Sequence, residues 1–230
     1  MDGTPRSAKA KSRGIGTRAS IVVAGLAVAI ASFASPACAP DRGGLTEREL
    51  AAAKEWKPTR WAEGKRTALV VMDMQKANMP IVDQERVVAA IRRLVAAADA
   101  AGSPVVWVYS NDEDSRPGED RFELAPPFAP GPGHLKLVKA GTSAISGTSL
   151  GPTLEGLGVG RLVICGVSSN ECVKSTVESS YFDGWLTVVA RDAHSMPSRS
   201  GSAETVANMN TRWAADRRVR LLDSRAIRFD

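Results

Sequence analysis

Apolar stretches alternate with amphipathic stretches along the chain from residue 67 onward. Six apolar runs have the length and continuity of strands that are buried on both faces: Thr67–Met72, Val105–Tyr109, Leu135–Lys139, Arg161–Val167, Leu186–Ala190 and Val219–Leu222. Helical periodicity or helix-stop signals lie between them: Glu85–Ala101, Leu150–Leu157, Glu171–Asp183 and Ala203–Ala215. This alternation predicts an α/β fold with a three-layer, doubly wound, Rossmann-like and mostly parallel sheet over a single domain, 67–230.

The same pattern predicts where a functional site lies. In a doubly wound sheet, the ligand crevice is found at the carboxyl ends of the strands. Asp73 follows the first predicted strand, Lys139 closes the third, and Cys172 comes shortly after the fourth. The long proline-rich segment 111–133 follows the second strand, and loops of that length inside compact domains commonly form pocket walls or lids. Three chemically useful side chains are therefore expected at one sheet edge.

The first 66 residues differ in composition from this domain. A basic stretch precedes the 14-residue apolar run Ile21–Ala34, and small residues follow it, which predicts an export signal over 1–39. The run is shorter than the roughly 20 apolar residues that a membrane span needs. Lipidation of Cys38, and with it a membrane tether, remains open. Residues 40–66 form a polar extension with one short helix predicted over Leu45–Trp56, and the protein is expected to be periplasmic or extracellular.

The basic charge of the chain belongs mostly to this leader. The full sequence has a formal net charge of +5 and a pI of about 9.3. Residues 1–40 carry five Lys or Arg residues against a single acidic residue, so the remainder is close to neutral. The domain therefore has no strong electrostatic signal for nucleic acid, and no nucleic-acid partner is predicted.

Taken one at a time, the candidate side chains are ordinary. An aspartate after a strand is usually a turn former, and a lysine at a strand end is usually solvated. Cys165 lies inside an apolar run and is interpreted as a small core residue; a redox pair of Cys165 with Cys172 is an alternative. His134 and His194 are the two histidines, and neither is well placed to pair with Cys172.

Together, however, three segments resemble the isochorismatase-like cysteine hydrolases: Val70–Gln75, Lys139–Ala144 and Gly166–Thr176. The run into Cys172 is the most specific of the three, and Gly184–Ala193 also fits the family pattern. The resemblance extends from about residue 67 to 222. It implies the isochorismatase-like hydrolase fold.

The resemblance also implies roles for individual residues. Asp73, Lys139 and Cys172 would form a catalytic triad, with Cys172 as the nucleophile, Asp73 as the proton acceptor and Lys139 as the cation between them. A cis peptide bond is implied at Val167–Ser168, and the amides of Ser168 and Cys172 would form an oxyanion hole. A helix start and the Lys139 cation are expected to make the thiol acidic and to hold it as a thiolate.

Departures from the family pattern narrow the expected chemistry. Many nicotinamidases of the family have an Asp-x-His metal site, whereas Ser110–Ser115 contains no histidine, so neither a metal nor another cofactor is predicted. Isochorismatases proper lack a cysteine at the nucleophile position, which Cys172 occupies here. The favoured hypothesis is a hydrolase that cleaves the C–N bond of a small amide or carbamoyl compound through a thioester.

Two other functions stay open. The first is an isochorismatase-type or other hydrolase of the same fold, and the second is an exported binding protein without turnover. The substrate-binding residues and the substrate itself cannot be named from the sequence, and a homo-oligomer is left open.

Overall fold

Six parallel strands form one sheet at the centre of the protein. The computed structural model describes residues 56–61 and 65–230. The strands are β1 (Arg66–Met72), β2 (Val105–Ser110), β3 (Leu135–Lys139), β4 (Val159–Val167), β5 (Leu186–Ser195) and β6 (Val219–Leu222). Their order in the sheet is β3-β2-β1-β4-β5-β6, and each neighbouring pair is parallel. This is the doubly wound order, and it confirms the α/β prediction.

Helices cover both faces of the sheet and complete the three layers. The helices are α1 (Gln84–Ala100), α2 (Leu150–Gly156), α3 (Lys174–Phe182) and α4 (Ala203–Ala215). Helix α1 packs on one face through its buried stripe of Val87, Ile91 and Leu94. The other three helices pack on the opposite face. Because both faces are covered, residues of either parity are buried in the four inner strands, which explains why these strands read as nearly continuous apolar runs. The edge strands β3 and β6 also contain exposed residues.

Most element boundaries differ from the sequence prediction by no more than two residues, and two differ in a way that bears on the site. Strand β5 continues beyond Ala190 to Ser195, because after a register shift between Ile164 and Gly166 the last residues of β4 pair with His194 and Ser195. The helix predicted to begin at Glu171 begins instead as a π-helical turn, Ser169–Val173, which leads into α3. Both irregularities lie at the carboxyl end of β4. They therefore fall where the sequence placed the candidate site.

The described part of the N-terminal extension packs on the domain near the amino ends of the strands, away from the carboxyl ends where the candidate site lies. The indole Nε1 of Trp56 donates a 2.9 Å hydrogen bond to the carbonyl of Tyr181, and the Arg60 amide donates one of 2.8 Å to the carbonyl of Gly184. The predicted segment 1–39, Cys38 and all of the helix Leu45–Trp56 except Trp56 lie outside the described residues. Within residues 56–61 and 65–230, no helix has both the length and the apolar character to cross a membrane.

Candidate active site

The candidate site lies between β1 and β4, where the strand order reverses. Met72, the last residue of β1, pairs with Gly166 of β4. Gly166 has φ of 109°, and a Cβ atom there would lie 2.2 Å from the carbonyl oxygen of Met72. Only glycine therefore permits this close approach of the two strands. Asp73, the next residue after Met72, has a positive φ of 49° and directs the chain out of the strand.

The turn after β4 carries Cys172. The peptide bond between Val167 and Ser168 is cis, at the position that the family resemblance implied. The carbonyl of Ser168 accepts hydrogen bonds of 3.1 Å from the amides of both Glu171 and Val173. The second of these bonds spans five residues and so closes the π-helical turn. Turns of this kind are frequent at functional sites, and this one presents Cys172 beside the end of β1.

Lys139 joins the two sides of the site. It closes β3, the edge strand, and its ammonium group reaches across the end of β2. Its Nζ lies 2.9 Å from Oδ2 of Asp73 and 3.3 Å from Sγ of Cys172, and it also donates a 3.1 Å hydrogen bond to the carbonyl of Gly141. The side chains of Lys139 and Asp73 are 0% and 3% exposed. The structure thus brings together the three residues that the sequence singled out.

Asp73 keeps one carboxylate oxygen uncommitted. While Oδ2 pairs with Lys139, Oδ1 is buried and has no hydrogen-bond partner among the described residues. A buried, unpaired carboxylate oxygen is costly, and natural structures contain few of them. Cys172 is close enough for the Asp73 carboxylate to raise the pKa of the thiol. The Asp73 carboxylate therefore lies next to a thiol that can deliver a proton to it.

Burial controls the protonation of all three groups. It raises the pKa of Cys172 to about 12, and the negative charge of Asp73 acts in the same direction, whereas Lys139 opposes both. Burial also raises the pKa of Asp73, against the opposing effect of Lys139. For Lys139, burial lowers the pKa, but Asp73 and Cys172 outweigh it and the net shift is upward. The resting site is thus a neutral thiol beside a charged lysine.

This direction corrects the sequence-based expectation of an acidic thiol. The sequence placed Cys172 in the first turn of an ordinary helix, with Lys139 as the dominant charge. In the structure the residue lies in a π-helical turn, is half-buried, and faces a carboxylate as well as an ammonium group. Desolvation and a like charge both disfavour the thiolate, and together they exceed the attraction of one cation.

Hydroxyl groups fix the segment after Lys139 onto α3. Oγ of Ser143 accepts hydrogen bonds from the amides of Ile145 and Ser146 and donates one of 2.9 Å to Oγ of Ser179. The amide of Ala144 donates to Oγ1 of Thr176 at 2.9 Å. These contacts couple two of the segments on which the family resemblance rests. They set the distance between the Lys139 strand and the helix that follows Cys172.

Gln75 holds the long loop after β2 next to Asp73. Its Nε2 lies within hydrogen-bond distance of the Ser110 carbonyl (3.0 Å), Ser115 Oγ (2.7 Å) and the Phe122 carbonyl (3.0 Å). Its Oε1 accepts a 2.8 Å hydrogen bond from the Ser110 amide. A buried glutamine two residues after Asp73 therefore ties both ends of this loop segment to the site. Gln75 lies in Val70–Gln75, one of the segments on which the family resemblance rests, but the sequence indicated no role for its side chain.

Neither histidine contacts Cys172. Nδ1 of His134 accepts hydrogen bonds from Trp107 Nε1 and the Gly131 amide, each at 2.9 Å, while Nε2 lies 2.7 Å from Asp99. His194 is fully buried, and its Nδ1 lies 2.9 Å from Oγ of Ser169, in the turn that carries Cys172. His134 therefore anchors the long loop. His194 supports the turn that carries Cys172 through its contact with Ser169, a role that the sequence did not indicate.

Cys165 and Cys172 lie on opposite faces of the sheet. Cys165 is fully buried in the core beneath α1, while Cys172 packs against the core under α2, α3 and α4. Both are free thiols. Cys165 is thus a core residue in this structure, as expected, and the central sheet separates it from Cys172.

The segment Ser110–Ser115 forms a small turn beside the site. Oδ2 of Asp112 accepts a 2.9 Å hydrogen bond from Oγ of Ser110, and Oδ1 accepts one of 3.0 Å from the amide of Asp114. In the described ranges, no group of three or more His, Cys, Asp or Glu side chains is arranged to hold a metal ion.

Comparison with known proteins identifies relatives over most of the domain. Residues 67–217 match the family model of the isochorismatase domain. Streptothricin hydrolase of Streptomyces noursei is 32% identical over 169 residues, which cover 67% of this chain and 67% of that protein. Ureidoacrylate amidohydrolase of Pantoea ananatis is 29% identical over 202 residues, covering 67% of this chain and 78% of the relative.

A solved structure supports the fold. N-carbamoylsarcosine amidase from Thermoplasma acidophilum matches with a TM-score of 0.60 and 22% identity, over 70% of this chain and 98% of that one.

Proposed function

The chain belongs to the isochorismatase family of hydrolases, and on that basis we propose that it cleaves the C–N bond of an amide or carbamoyl group in a small molecule. The names of its relatives, a streptothricin hydrolase and a ureidoacrylate amidohydrolase, support C–N chemistry as the reaction class. The observation that carries the proposal is a buried Asp73 carboxylate next to the Cys172 thiol, with Oδ2 paired to Lys139 and Oδ1 without a hydrogen-bond partner among the described residues.

The first half of the reaction forms a thioester. As Sγ of Cys172 attacks the carbonyl carbon, its proton passes to Oδ1 of Asp73, so that no free thiolate has to accumulate. The carbonyl oxygen becomes an oxyanion, which the amides of Ser168 and Cys172 stabilise. When the C–N bond breaks, Asp73 returns the proton to the departing nitrogen. An amine or ammonia leaves, and the acyl group remains on sulfur.

The second half regenerates the thiol. Water attacks the thioester carbonyl while Asp73 accepts one of its protons. Collapse of the tetrahedral intermediate releases the carboxylic or carbamic acid, and the proton returns to sulfur. Lys139 keeps its charge throughout because its pKa is raised. Its ammonium group therefore offsets negative charge on Asp73 and on sulfur without exchanging protons itself.

Ammonia release tests the reaction class. The purified chain is screened against small primary amides and ureido compounds, with Cys172→Ala and Cys172→Ser as matched variants. We expect ammonia release by the wild-type protein and its loss in both variants. Intact mass spectrometry during turnover should show an acyl adduct on the wild-type chain alone. Turnover that persists in Cys172→Ala would contradict the thioester route.

The alternative of a binding protein without turnover makes a different prediction. It requires ligand affinity with no ammonia release from any bound amide, and no acyl adduct. The retention of all three triad residues in hydrogen-bonding or ion-pair geometry favours the enzyme.

We further propose that residues 1–39 are a signal that directs export of the protein. Whether Cys38 carries a lipid is a separate question. The basic stretch, the apolar run Ile21–Ala34 and the small residues after it support this proposal. The raised pKa of Cys172 is compatible with an oxidising compartment, because a thiol with little thiolate resists oxidation. Fractionation of cells that express the full chain, followed by intact mass measurement, would show where the protein resides and whether a lipid is attached. Full-length protein confined to the cytoplasm would contradict export.

A further inference from the structure

A second concave site lies away from Cys172, between α1, the end of β5 and the residues after β6. This cavity has a volume of about 560 Å³. It is lined by Arg86, Ala89, Arg93, Arg191, Asp192, Asn210, Asp223 and Arg225. Four arginines thus face one space together with two aspartates. Neither the triad nor the loop after β2 contributes to it.

The two aspartates of the cavity are committed to other groups. Asp192 accepts hydrogen bonds from the amide (2.8 Å) and the hydroxyl (2.7 Å) of Ser224, and its Oδ2 lies 3.8 Å from Arg93. Asp223 accepts a 3.0 Å hydrogen bond from the amide of Arg225. These carboxylates therefore organise the chain after β6. They do not neutralise the arginines one for one.

The arginines of the cavity, by contrast, keep binding capacity. The guanidinium groups of Arg191 and Arg225 form no hydrogen bond or ion pair with any residue that the structure describes, and both residues are exposed. Arg86 pairs with Asp83 at 2.9 Å through one nitrogen. Each guanidinium carries five N–H donors in a planar fork that suits phosphate or carboxylate oxygens. Unused donors of one charge thus converge on one cavity.

One wall of the cavity is rigid. Nδ2 of Asn210 donates a 3.2 Å hydrogen bond to the backbone carbonyl of Arg191, and its Oδ1 lies 3.0 Å from Nε2 of the fully buried His194. The amide thereby fixes the backbone from which the Arg191 side chain departs. Burial lowers the pKa of His194 to about 4; the charge of Arg86 acts in the same direction, while the hydrogen bond to Asn210 and the charge of Asp192 oppose it.

We propose that this arginine-lined cavity binds a small anion with two or more negative charges, carried by phosphate or carboxylate groups. The excess of guanidinium over carboxylate provides the charge, and the fixed Asn210–Arg191 wall provides preorganisation. The site is separate from the triad. Its occupation does not depend on the reaction that Cys172 performs, so the two proposals can fail independently.

Calorimetry and thermal unfolding test this site with defined anions. Inorganic phosphate and succinate are titrated into the full wild-type chain, with sodium chloride at matched ionic strength as the reference. We expect saturable binding of at least one of the two anions, together with a melting temperature that rises with its concentration. The anion that binds more tightly identifies the preferred group. The double variant Arg191→Gln/Arg225→Gln should weaken binding by roughly tenfold or more.

Arg217→Gln is the matched control, since Arg217 is exposed but does not line the cavity. It should bind the anions as the wild type does. Three results would overturn the proposal: no saturable binding of either anion, a stabilisation that sodium chloride reproduces, or equal affinity in the double variant and the control. Loss of amidase activity would have no bearing on it, because binding is measured directly.

Discussion

Two ion pairs in this protein are equally buried but differ in whether both oxygens of the carboxylate have a hydrogen-bond partner. Asp216 and Arg218 are 3% and 1% exposed at their side chains, and both carboxylate oxygens of Asp216 are used. Oδ1 accepts from the amide and Nε of Arg218, each at 2.9 Å, and Oδ2 accepts from Nη2 at 2.8 Å. The guanidinium also lies 4.1 Å from the ring of Tyr181. Asp73 and Lys139 are equally buried, yet Oδ1 of Asp73 has no partner in the described part of the chain.

The difference lies in what each pair leaves unsatisfied. A buried pair whose acceptors are all used offers nothing to a substrate and serves the fold. In the Asp73–Lys139 pair, one carboxylate oxygen has no hydrogen-bond partner among the described residues, so the carboxylate can still accept a proton from the neighbouring thiol. Burial alone therefore does not mark a catalytic group. The unsatisfied atom, together with a neighbouring proton donor, marks it.

The largest effect is expected from removing the free acceptor. In the proposed mechanism the Asp73 carboxylate receives the thiol proton; Asp73→Asn removes this base, so kcat/KM should fall by roughly 10²- to 10⁴-fold. Ammonia release with a substrate from the amide screen measures it. Circular dichroism must show that the variant is folded, because Lys139 loses its counterion. A folded Asp73→Asn that retains full activity would remove the basis of the comparison.

Asp216→Ala should instead lower stability and leave activity per folded molecule nearly unchanged. It removes the carboxylate that accepts three hydrogen bonds from the buried Arg218, so the free energy of unfolding should drop by roughly 1.5–3 kcal/mol. Activity per folded molecule should stay near the wild-type value, since Asp216 is remote from Cys172 in the fold. Urea unfolding and active-site titration separate the two quantities. Glu85→Ala, at an exposed acidic residue in the first turn of α1, should cost less than about 1 kcal/mol.

The pH dependence of kcat/KM distinguishes a neutral thiol from a preformed thiolate. Asp73 must be ionised to accept a proton, and its pKa is raised above 3.8. Activity should therefore fall on acidification through a midpoint above that value. Because the pKa of Cys172 is about 12, we expect no further rise between about pH 7 and 9, where an ordinary thiol ionises. A clear rise with a midpoint near 8.5 would instead indicate attack by a free thiolate.

A smaller effect on activity is expected from changing Ser169, whose hydroxyl holds the turn that carries Cys172. Oγ of Ser169 lies 2.9 Å from His194 and donates a 2.8 Å hydrogen bond to the carbonyl of Ser195. Ser169→Ala removes both contacts and should loosen the turn, lowering kcat about tenfold with little change in KM. The acidic midpoint of the pH profile should not move, since Asp73 is untouched. A shifted midpoint would mean that Ser169 acts on Asp73 and not through the position of Cys172.

Much of this arrangement was predictable from the sequence. Apolar runs identified all six strands, because a sheet covered on both faces buries nearly every residue of its four inner strands; the edge strands β3 and β6 also contain exposed residues. Chain order then placed Asp73, Lys139 and Cys172 at one edge, where the structure brings them together. The pKa of Cys172 was predicted with the wrong sign, because the sequence shows which charges are near but not how deeply they are buried. His194 was missed because its place depends on a register shift late in β5.

The rate at which the Cys172 thiol is alkylated tests whether Asp73 raises its pKa. In the wild-type protein, iodoacetamide should modify this thiol much more slowly at neutral pH than it modifies an ordinary free cysteine, since only the thiolate reacts and the pKa is about 12. Asp73→Asn removes the carboxylate that raises this pKa while Lys139, which lowers it, remains. Alkylation should therefore accelerate, by up to about tenfold, in the same variant whose catalysis is lost. Cys172→Ala, in which Cys165 is fully buried, sets the background. If alkylation and catalysis fell together in Asp73→Asn, Asp73 would be acting to create a thiolate and not to accept a proton during attack.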